Sequence, residues 1–494
     1  MLKVIRVILA VICLLAVTFL FLDFTGIGAR YLGWLAKWQF IPALLSTAVV
    51  PLAVLIILPF IFGRVYCSVL CPLGVMQDVI SWVHCKLSRR HKFGYCRPLT
   101  LLRCVVLLLF VVALMLGLSR LAAFIEPYSE YGRIVSSVLR PAYIEVNNII
   151  AANEAPDSYT FYNVDYYETL SMVVVGVVTL LVVGGLAWWN GRIYCNTICP
   201  VGTILGYMSQ FSLLKPVIDS SKCVKCGKCA RECKASCIDA KNERIDYTRC
   251  VACMDCIGNC STGAISYTLP SRVKVIKGKD DGGAHDSGRR SFLTVGALLA
   301  ATAAVKAQEK TVDGGLAEII DKKKPERRTR ITPPGSKSHD NFYRHCTSCQ
   351  LCVSKCPEGV LRPSVEAGTF MQPEVSYERG YCRPECTDCS QVCPVGAILP
   401  LDAAEKSAVQ VGHAVWIREN CLPAVNGTSC GNCARHCPVG AITMIALNPE
   451  DPASPKVPSV NTERCIGCGA CENLCPVRPF SAIYVEGHEI HRMV

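Results

Sequence analysis

A chain of 494 residues with 51% apolar and 18% charged residues is long enough for three or four domains and apolar enough to carry a membrane part. Its net charge of +12 does not mark a nucleic-acid binder, because the basic residues gather beside apolar runs and no nucleic-acid motif occurs. The absence of a Walker loop, of G-x-G-x-x-G and of Cys-x2-Cys-His removes nucleotide, flavin and c-type haem, and 33 cysteines remain to be explained by their spacing.

In chain order, four uncharged or nearly uncharged runs come first: Val4–Leu22, Ile41–Gly63, Leu99–Ser119 and Thr169–Asn190. Crossing the hydrocarbon core takes ~20 apolar residues as a helix, so the runs predict four membrane spans. Arg6 and Arg103 stand near enough to the ends to snorkel. Pro42, Pro51 and Pro59 of the second run are tolerated better in membrane helices than in soluble ones. The segment 64–97 holds six basic residues against Asp78 alone, whereas 120–168 holds three arginines against seven acids. The positive-inside rule therefore puts the first segment in the cytoplasm and the second outside.

Spans two and four each run into the same sentence, GRVYCSVLCPLG at 63–74 and GRIYCNTICPVG at 191–202. The doubling predicts one unit built from two equivalent halves. Each half delivers two thiols to the cytoplasmic face, and Cys67, Cys71, Cys195 and Cys199 together suffice for one shared iron–sulfur centre.

Bacterial ferredoxin spacing follows at Cys223, Cys226, Cys229, Cys233 and again at Cys250, Cys253, Cys256, Cys260. Three close cysteines wrap one cubane and the fourth crosses to its partner. The expected sets are Cys223, Cys226, Cys229 with Cys260, and Cys250, Cys253, Cys256 with Cys233. Zinc prefers separated Cys-x2-Cys pairs, and the cytoplasmic side argues against disulfides. Lys234 and Ser261 stand where such motifs usually have proline.

Between about Ser271 and Asn341 the chain turns polar, with Gly and Lys frequent. Inside lies S-G-R-R-S-F-L-T at 287–294 and the uncharged run Ser291–Val305, the pattern of a twin-arginine export signal. The run would make a helix of only ~22 Å, short of a stable span. Exporting a folded domain would keep its many thiols from wrong disulfides.

Four further motifs each end in Cys-Pro: Cys346, Cys349, Cys352, Cys356; then Cys382, Cys386, Cys389, Cys393; then Cys421, Cys430, Cys433, Cys437; then Cys465, Cys468, Cys471, Cys475. Sixteen cysteines imply four more [4Fe–4S] clusters, six in all, paired either as neighbours or first with fourth. Gly396-Ala397-Ile398 and Gly440-Ala441-Ile442 read as the small strands of a ferredoxin fold. Cys13, Cys85, Cys96, Cys104 and Cys237 fall outside every motif and read as structural. The expected fold is an α-helical membrane domain of four spans (1–215) with α+β bacterial-ferredoxin-like domains. These are a cytoplasmic two-cluster domain at 216–272, a linker with signal at 273–340, and a four-cluster domain at 341–494.

Residues 1–272 resemble the membrane quinol-dehydrogenase component (NapH type) of periplasmic nitrate reductase systems. The likeness rests on the four spans, CSVLCPLG, CNTICPVG and the two ferredoxin motifs, and extends to Ile125-Glu126-Pro127 and Gly132-Arg133, with Glu126 where that family has Asn. Residues 285–494 resemble its ferredoxin-type partner (NapG type), through the twin-arginine signal, Pro333-Pro334-Gly335, the irregular second and third motifs and Glu419-Asn420-Cys421. Similar pairs serve methylamine oxidation. Here the two stand in one chain, leaving open whether the signal is cleaved or kept as a fifth anchor.

The resemblance implies a multi-pass protein of the bacterial inner membrane that takes electrons from lipid-soluble quinol and passes them to a periplasmic terminal reductase, nitrate reductase foremost, or to its small electron carrier. Glu126, Tyr128 and Arg133, just outside span three, are candidates for the quinol site, ahead of His84 and Asp78. Two other functions fit the same motifs: an accessory protein that keeps a partner metalloenzyme reduced, and a cytoplasmic ferredoxin:quinone carrier. How electrons would pass between clusters on opposite faces is not readable from spacing.

Overall fold

A computed structural model describes residues 2–88, 93–153, 161–164, 166, 169–269, 320–451 and 453–493. The arginine pair of the expected export signal and the run after it lie outside the described residues. So does any statement on cleavage.

Helix α1 (Leu2–Leu22) is apolar on all sides beyond its first turns, which carry Lys3 and Arg6. Five elements of the helical domain follow: α2 (Val49–Phe62), α3 (Pro72–Leu87), α4 (Thr100–Met115), α5 (Pro127–Ile134) and α6 (Leu170–Asn190). Among the described residues only α1 and α6, with 21 residues each, are long and apolar enough to cross a membrane. This corrects the expected count of four. The second run breaks in two, because Phe40–Leu45 forms its own short helix and Thr47 takes a left-handed φ of 51° before α2 starts. Gly117, at φ 71°, follows the end of α4. Helices α2 and α4 hold 14 and 16 residues, about 21 and 24 Å at the helical rise.

Helix α7 (Pro200–Ser209) is the second-half counterpart of α3, and both begin on the proline of a Cys-Pro pair. Proline suits the first helical position because its missing N–H has no partner there anyway. The chain then enters the first of two ferredoxin modules, labelled inner and outer after the sides expected from the sequence. Strands β1 (Lys215–Ile218) and β2 (Ile265–Thr268) pair antiparallel around the two cluster motifs, Lys215 opposite Thr268 and Ile218 opposite Ile265.

The outer module holds three antiparallel pairs. Strand β3 (Val409–Trp416) pairs with β6 (Ile483–Met493), and β4 (Ile442–Ala446) with β5 (Lys456–Val460). Leu361–Pro363 and Pro373–Val375 form the third. Ile442 thus opens a strand as expected, whereas Gly396-Ala397-Ile398 forms none, and Leu399 N–H instead donates to Gly335 O at 3.0 Å. Residues 320–340, expected in the linker, belong to this module. Lys322 Nζ donates to the carbonyls of Glu472, Asn473 and Cys475, and Arg327 forms a buried ion pair with Glu472 at 2.5 Å.

The two modules sit at opposite ends of α1. At its start Lys3 pairs with Asp255 of the inner module (2.9 Å). Just past its end Asp23 pairs with Lys355 of the outer module (2.6 Å), both side chains 3% exposed or less. Arg103 does not snorkel: it is buried, donating to Thr248 Oγ1 and Thr248 O at 3.0 and 3.1 Å, which anchors the inner module.

Candidate cluster relay

The repeat places Cys67, Cys71, Cys195 and Cys199 in one buried group at the interface of the two halves, each sulfur close enough to the others to disfavour shared negative charge. Cys71 and Cys199 occupy the N-caps of α3 and α7, and Gly202 N–H donates to Cys199 Sγ at 3.3 Å. A helix N-terminus favours thiolate over thiol.

Around the four sulfurs the arginines of the repeated Gly-Arg cross over. Arg64 of the first half donates to Cys195 O (3.3 Å) and Asn196 Oδ1 (2.9 Å) of the second, and its NH2 stands 3.9 Å from Cys67 Sγ. Arg192 of the second half donates to Cys67 O (2.7 Å) and stands 3.9 Å from Cys195 Sγ. Room for the crossing comes from the repeated glycine. A Cβ on Gly74 would fall 2.5 Å from Arg192 NH1, and one on Gly202 would fall 2.8 Å from Arg64 NH2. Gln77 adds a hydrogen bond to Cys195 Sγ at 3.2 Å.

Both guanidiniums are fully buried, and Arg64 Nε and Arg192 NH2 have no partner. Arg192 is balanced by Asp78 (2.6 Å), but among the described residues Arg64 has no carboxylate within ion-pair distance. A buried cation without a counter-charge is costly. Four thiolates around an iron–sulfur core carry net negative charge and would supply that counter-charge, so the donor set fits such a centre. Sequence reading missed Arg64, Arg192 and Gln77 as functional, although the doubled Gly-Arg was the visible signal for two of them.

Asp78 is no partner of His84, which stacks on Trp188 at 4.3 Å. Burial works against the charge of Asp78, but Arg192 and Lys234 outweigh it and hold the carboxyl well below the usual range. Lys234 thereby explains the missing proline of the first inner motif. Its ammonium bridges Asp78 (2.9 Å) and Asp255 (3.1 Å), and its carbonyl accepts from Arg192 N–H (2.8 Å).

In the inner module one cavity is lined by Cys233, Cys250, Cys253 and Cys256, the crossed set that spacing predicted. Cys237, read as structural, lines it too. Its Sγ lies 3.5 Å from Cys233 Sγ, and that hydrogen bond lowers the pKa of the Cys233 thiol. Cys223, Cys226 and Cys229 lie together, while Cys260 Sγ contacts Thr262 Oγ1 at 3.5 Å.

In the outer module the motifs pair as neighbours. Cys356 joins Cys382, Cys386 and Cys389 around one cavity, and Cys393 lies against Cys346, Cys349 and Cys352. Likewise Cys475 joins Cys421, Cys430 and Cys433, and Cys437 joins Cys465, Cys468 and Cys471. The two pairs meet where Cys382 N–H donates to Cys468 O at 2.9 Å. Among the described residues no three His, Cys, Asp or Glu close tightly enough for a single ion. Tetrahedral zinc would need sulfurs about 3.8 Å apart, from Zn–S bonds of ~2.3 Å. These are cages for a larger group.

Between the membrane sulfurs and Cys349 lies α5. Glu126 caps it, accepting from Tyr128 N–H (3.0 Å) and Ser129 N–H (2.5 Å), which gives this quinol-site candidate a structural task. Arg133 is buried, donates to Ala123 O (2.9 Å) and lies over the Phe124 ring. Tyr128 is buried with its hydroxyl unpartnered. The sequence reading passed over Glu130, buried against Tyr194 with Oε2 unpartnered.

Cages built from four cysteines in crossed pairs define the class, a multi-cluster ferredoxin of the [4Fe–4S] type. Family models described as "4Fe-4S dicluster domain" match 345–399, which encloses the first neighbouring pair of motifs, and 428–478, which encloses the second pair except Cys421. A "4Fe-4S binding domain" model matches twice, at 45–92 and 169–217, over the two Cys-x3-Cys-Pro copies. The ferredoxin-type protein NapG of Escherichia coli K12 is 31% identical over 208 residues, 38% of this chain and 81% of the relative. The methylamine utilization ferredoxin-type protein MauM of Paracoccus denitrificans is 33% identical over 176 residues, 32% of this chain and 73% of the relative. Ferredoxin-type protein NapF of Escherichia coli K12 is 28% identical over 161 residues, 32% and 87% respectively. The chain belongs to this family of ferredoxin-type proteins. No solved structure matches it.

Proposed function

We propose that this protein is a membrane-bound carrier that takes electrons from quinol and delivers them, through six [4Fe–4S] clusters and a seventh centre on Cys67, Cys71, Cys195 and Cys199, to a periplasmic reductase. The observation that carries the reading is the seat of the outer module. Cys349 O lies 2.4 Å from where a Cβ on Gly132 would stand, so the first outer cage rests directly on the helical domain. Quinol oxidation releases two electrons and two protons, and the carrier takes the electrons one at a time. The buried carboxylate of Glu130, hydrogen-bonded to Tyr194, is the group best placed to accept a proton. Glu126 is already engaged as a cap.

One relative's name, methylamine utilization ferredoxin-type protein, ties a similar protein to methylamine use, and the resemblance to components of periplasmic nitrate reductase systems supports a periplasmic acceptor. Charge asymmetry and the arginine pair support the same side for the outer module. The test is anaerobic mixing of the purified protein with a reduced quinol analogue. Bleaching of the cluster absorbance is expected, and Glu130→Gln should slow it severalfold while leaving iron content unchanged. No bleaching would refute quinol as donor.

A further inference from the structure

We propose that the same chain forms a continuous electron path across the whole membrane, joining the inner ferredoxin module to the outer one through the four Cys-x3-Cys-Pro cysteines. The inference rests on the reading that these cysteines hold a seventh centre. It goes beyond quinol oxidation because it admits a donor from the inner face.

Helix α1 is the ruler. Lys3 pairs with Asp255, the residue before Cys256. One turn on, Arg6 reaches Ser68 O (3.4 Å), between Cys67 and Cys71. Thr18 meets the Tyr131 hydroxyl (2.5 Å) in the α5 layer. Asp23 then pairs with Lys355, the residue before Cys356. Twenty residues at 1.5 Å each make ~30 Å, the thickness of the hydrocarbon core. The two ends of that distance therefore carry cages, with the four-sulfur group near the inner end and the Tyr131 layer near the outer one.

Electron tunnelling falls exponentially with distance and is faster through bonded or packed atoms than across empty space. Both gaps here are filled. On the inner side Asn196, next to Cys195, donates to Ala235 O (3.1 Å), two residues from Cys233. Arg64 donates to Thr248 O (3.2 Å), two residues from Cys250. On the outer side Tyr194, also next to Cys195, donates to Ile125 O (3.3 Å). Tyr128, three residues further, is buried close to Cys349 and Cys393.

The balance is simple. A reduced one-electron donor protein of ferredoxin or flavodoxin type gives up one electron at the inner face. A one-electron acceptor outside gains it, no bond forms or breaks, and one cation crosses to compensate the charge.

The test uses the full-length, cluster-loaded protein in quinone-free liposomes containing ferricyanide, with potassium and valinomycin for charge balance. Reduced flavodoxin, too large to cross, is added outside. Loss of the entrapped ferricyanide colour is expected, together with reduced-cluster EPR signals from both modules in the molecules that face flavodoxin. Tyr128→Leu and Tyr194→Leu should keep seven centres yet slow the loss severalfold, and Cys195→Ser should stop it. Seven centres in the wild-type protein with ferricyanide lost no faster than in protein-free liposomes would overturn the path while sparing the seventh centre. Six centres by iron and EPR would overturn the centre itself, and the path with it.

Discussion

The inner and outer modules are both ferredoxin-type, yet they dock on the helical domain by different means. The inner one is held by a shared network of charges, in which Asp78 meets Arg6, Arg192 and Lys234, and Asp255 meets Lys3 and Lys234. The outer one is held by close backbone approach at Gly132, by arginines reaching carbonyls (Arg120 to Ala367 O and Arg140 to Ser354 O, 2.6 and 2.7 Å), and by one isolated buried pair, Lys355–Asp23. A network tolerates the loss of a member, whereas an isolated buried pair does not. The contrast also separates two kinds of motif departure. Lys234, in place of proline, serves docking, while all four outer motifs keep their Cys-Pro and dock through other residues.

The comparison breaks most completely at the sulfurs between the modules. Cys67→Ser and Cys195→Ser should each reduce seven EPR-countable centres to six, and six in every form including the wild type would remove the shared site. Next comes Lys355→Ala, which leaves the buried Asp23 carboxylate without its counter-charge, held only by Thr25 and Gly28, and should cost about 3 kcal/mol. Hydrogen exchange is expected to rise in 346–356 and 119–133 without change in the inner module. Lys234→Met should cost clearly less, because Asp78 keeps Arg192 and Asp255 keeps Lys3. Equal losses in the two variants would erase the distinction drawn here.

Smaller effects test the close approaches. Gly132→Ala would drive a methyl to 2.4 Å from Cys349 O, and Gly191→Ala one to 2.5 Å from Lys234 O at a positive φ of 57°. Each should lower stability by about 1–3 kcal/mol, the first loosening only the outer module and the second only the inner, as read by limited proteolysis. The smallest effect concerns His488, whose Nε2 lies 2.9 Å from His413 Nδ1 on paired strands β3 and β6. Burial, with His413 and Arg492 nearby, lowers its pKa. The folded state therefore resists a proton that the unfolded chain accepts below about 6.5. Stability of the outer module should be full above that pH and fall as pH drops further. His488→Gln should weaken this dependence in thermal unfolding followed from pH 7.5 to 5.5, the remainder coming from His491, whose pKa burial lowers to about 4.

How much of this was legible in the sequence depends on how far apart the cooperating residues lie. Cysteine ladders are local, so the cages and the crossed set Cys233, Cys250, Cys253, Cys256 could be read from spacing. The doubled twelve-residue sentence told that two halves share a task. What spacing could not carry were contacts between single distant residues: Lys355 with Asp23, Arg103 with Thr248, Lys234 with Asp78. Neighbour pairing of the outer motifs was equally hidden, because four identical endings fit either arrangement. Hydropathy overstated the second and third runs, since composition does not register the left-handed turn at Thr47 or the stop near Gly117.

The crossed arginines bear on ancestry. Since Arg64 donates to Cys195 O of the other half and Arg192 donates to Cys67 O in return, neither half is self-sufficient. Two copies of a single half, turned about a twofold axis, would satisfy both carbonyl contacts. A homodimer of one such unit is therefore a physically complete forerunner, and joining its genes would have cost the site none of its geometry.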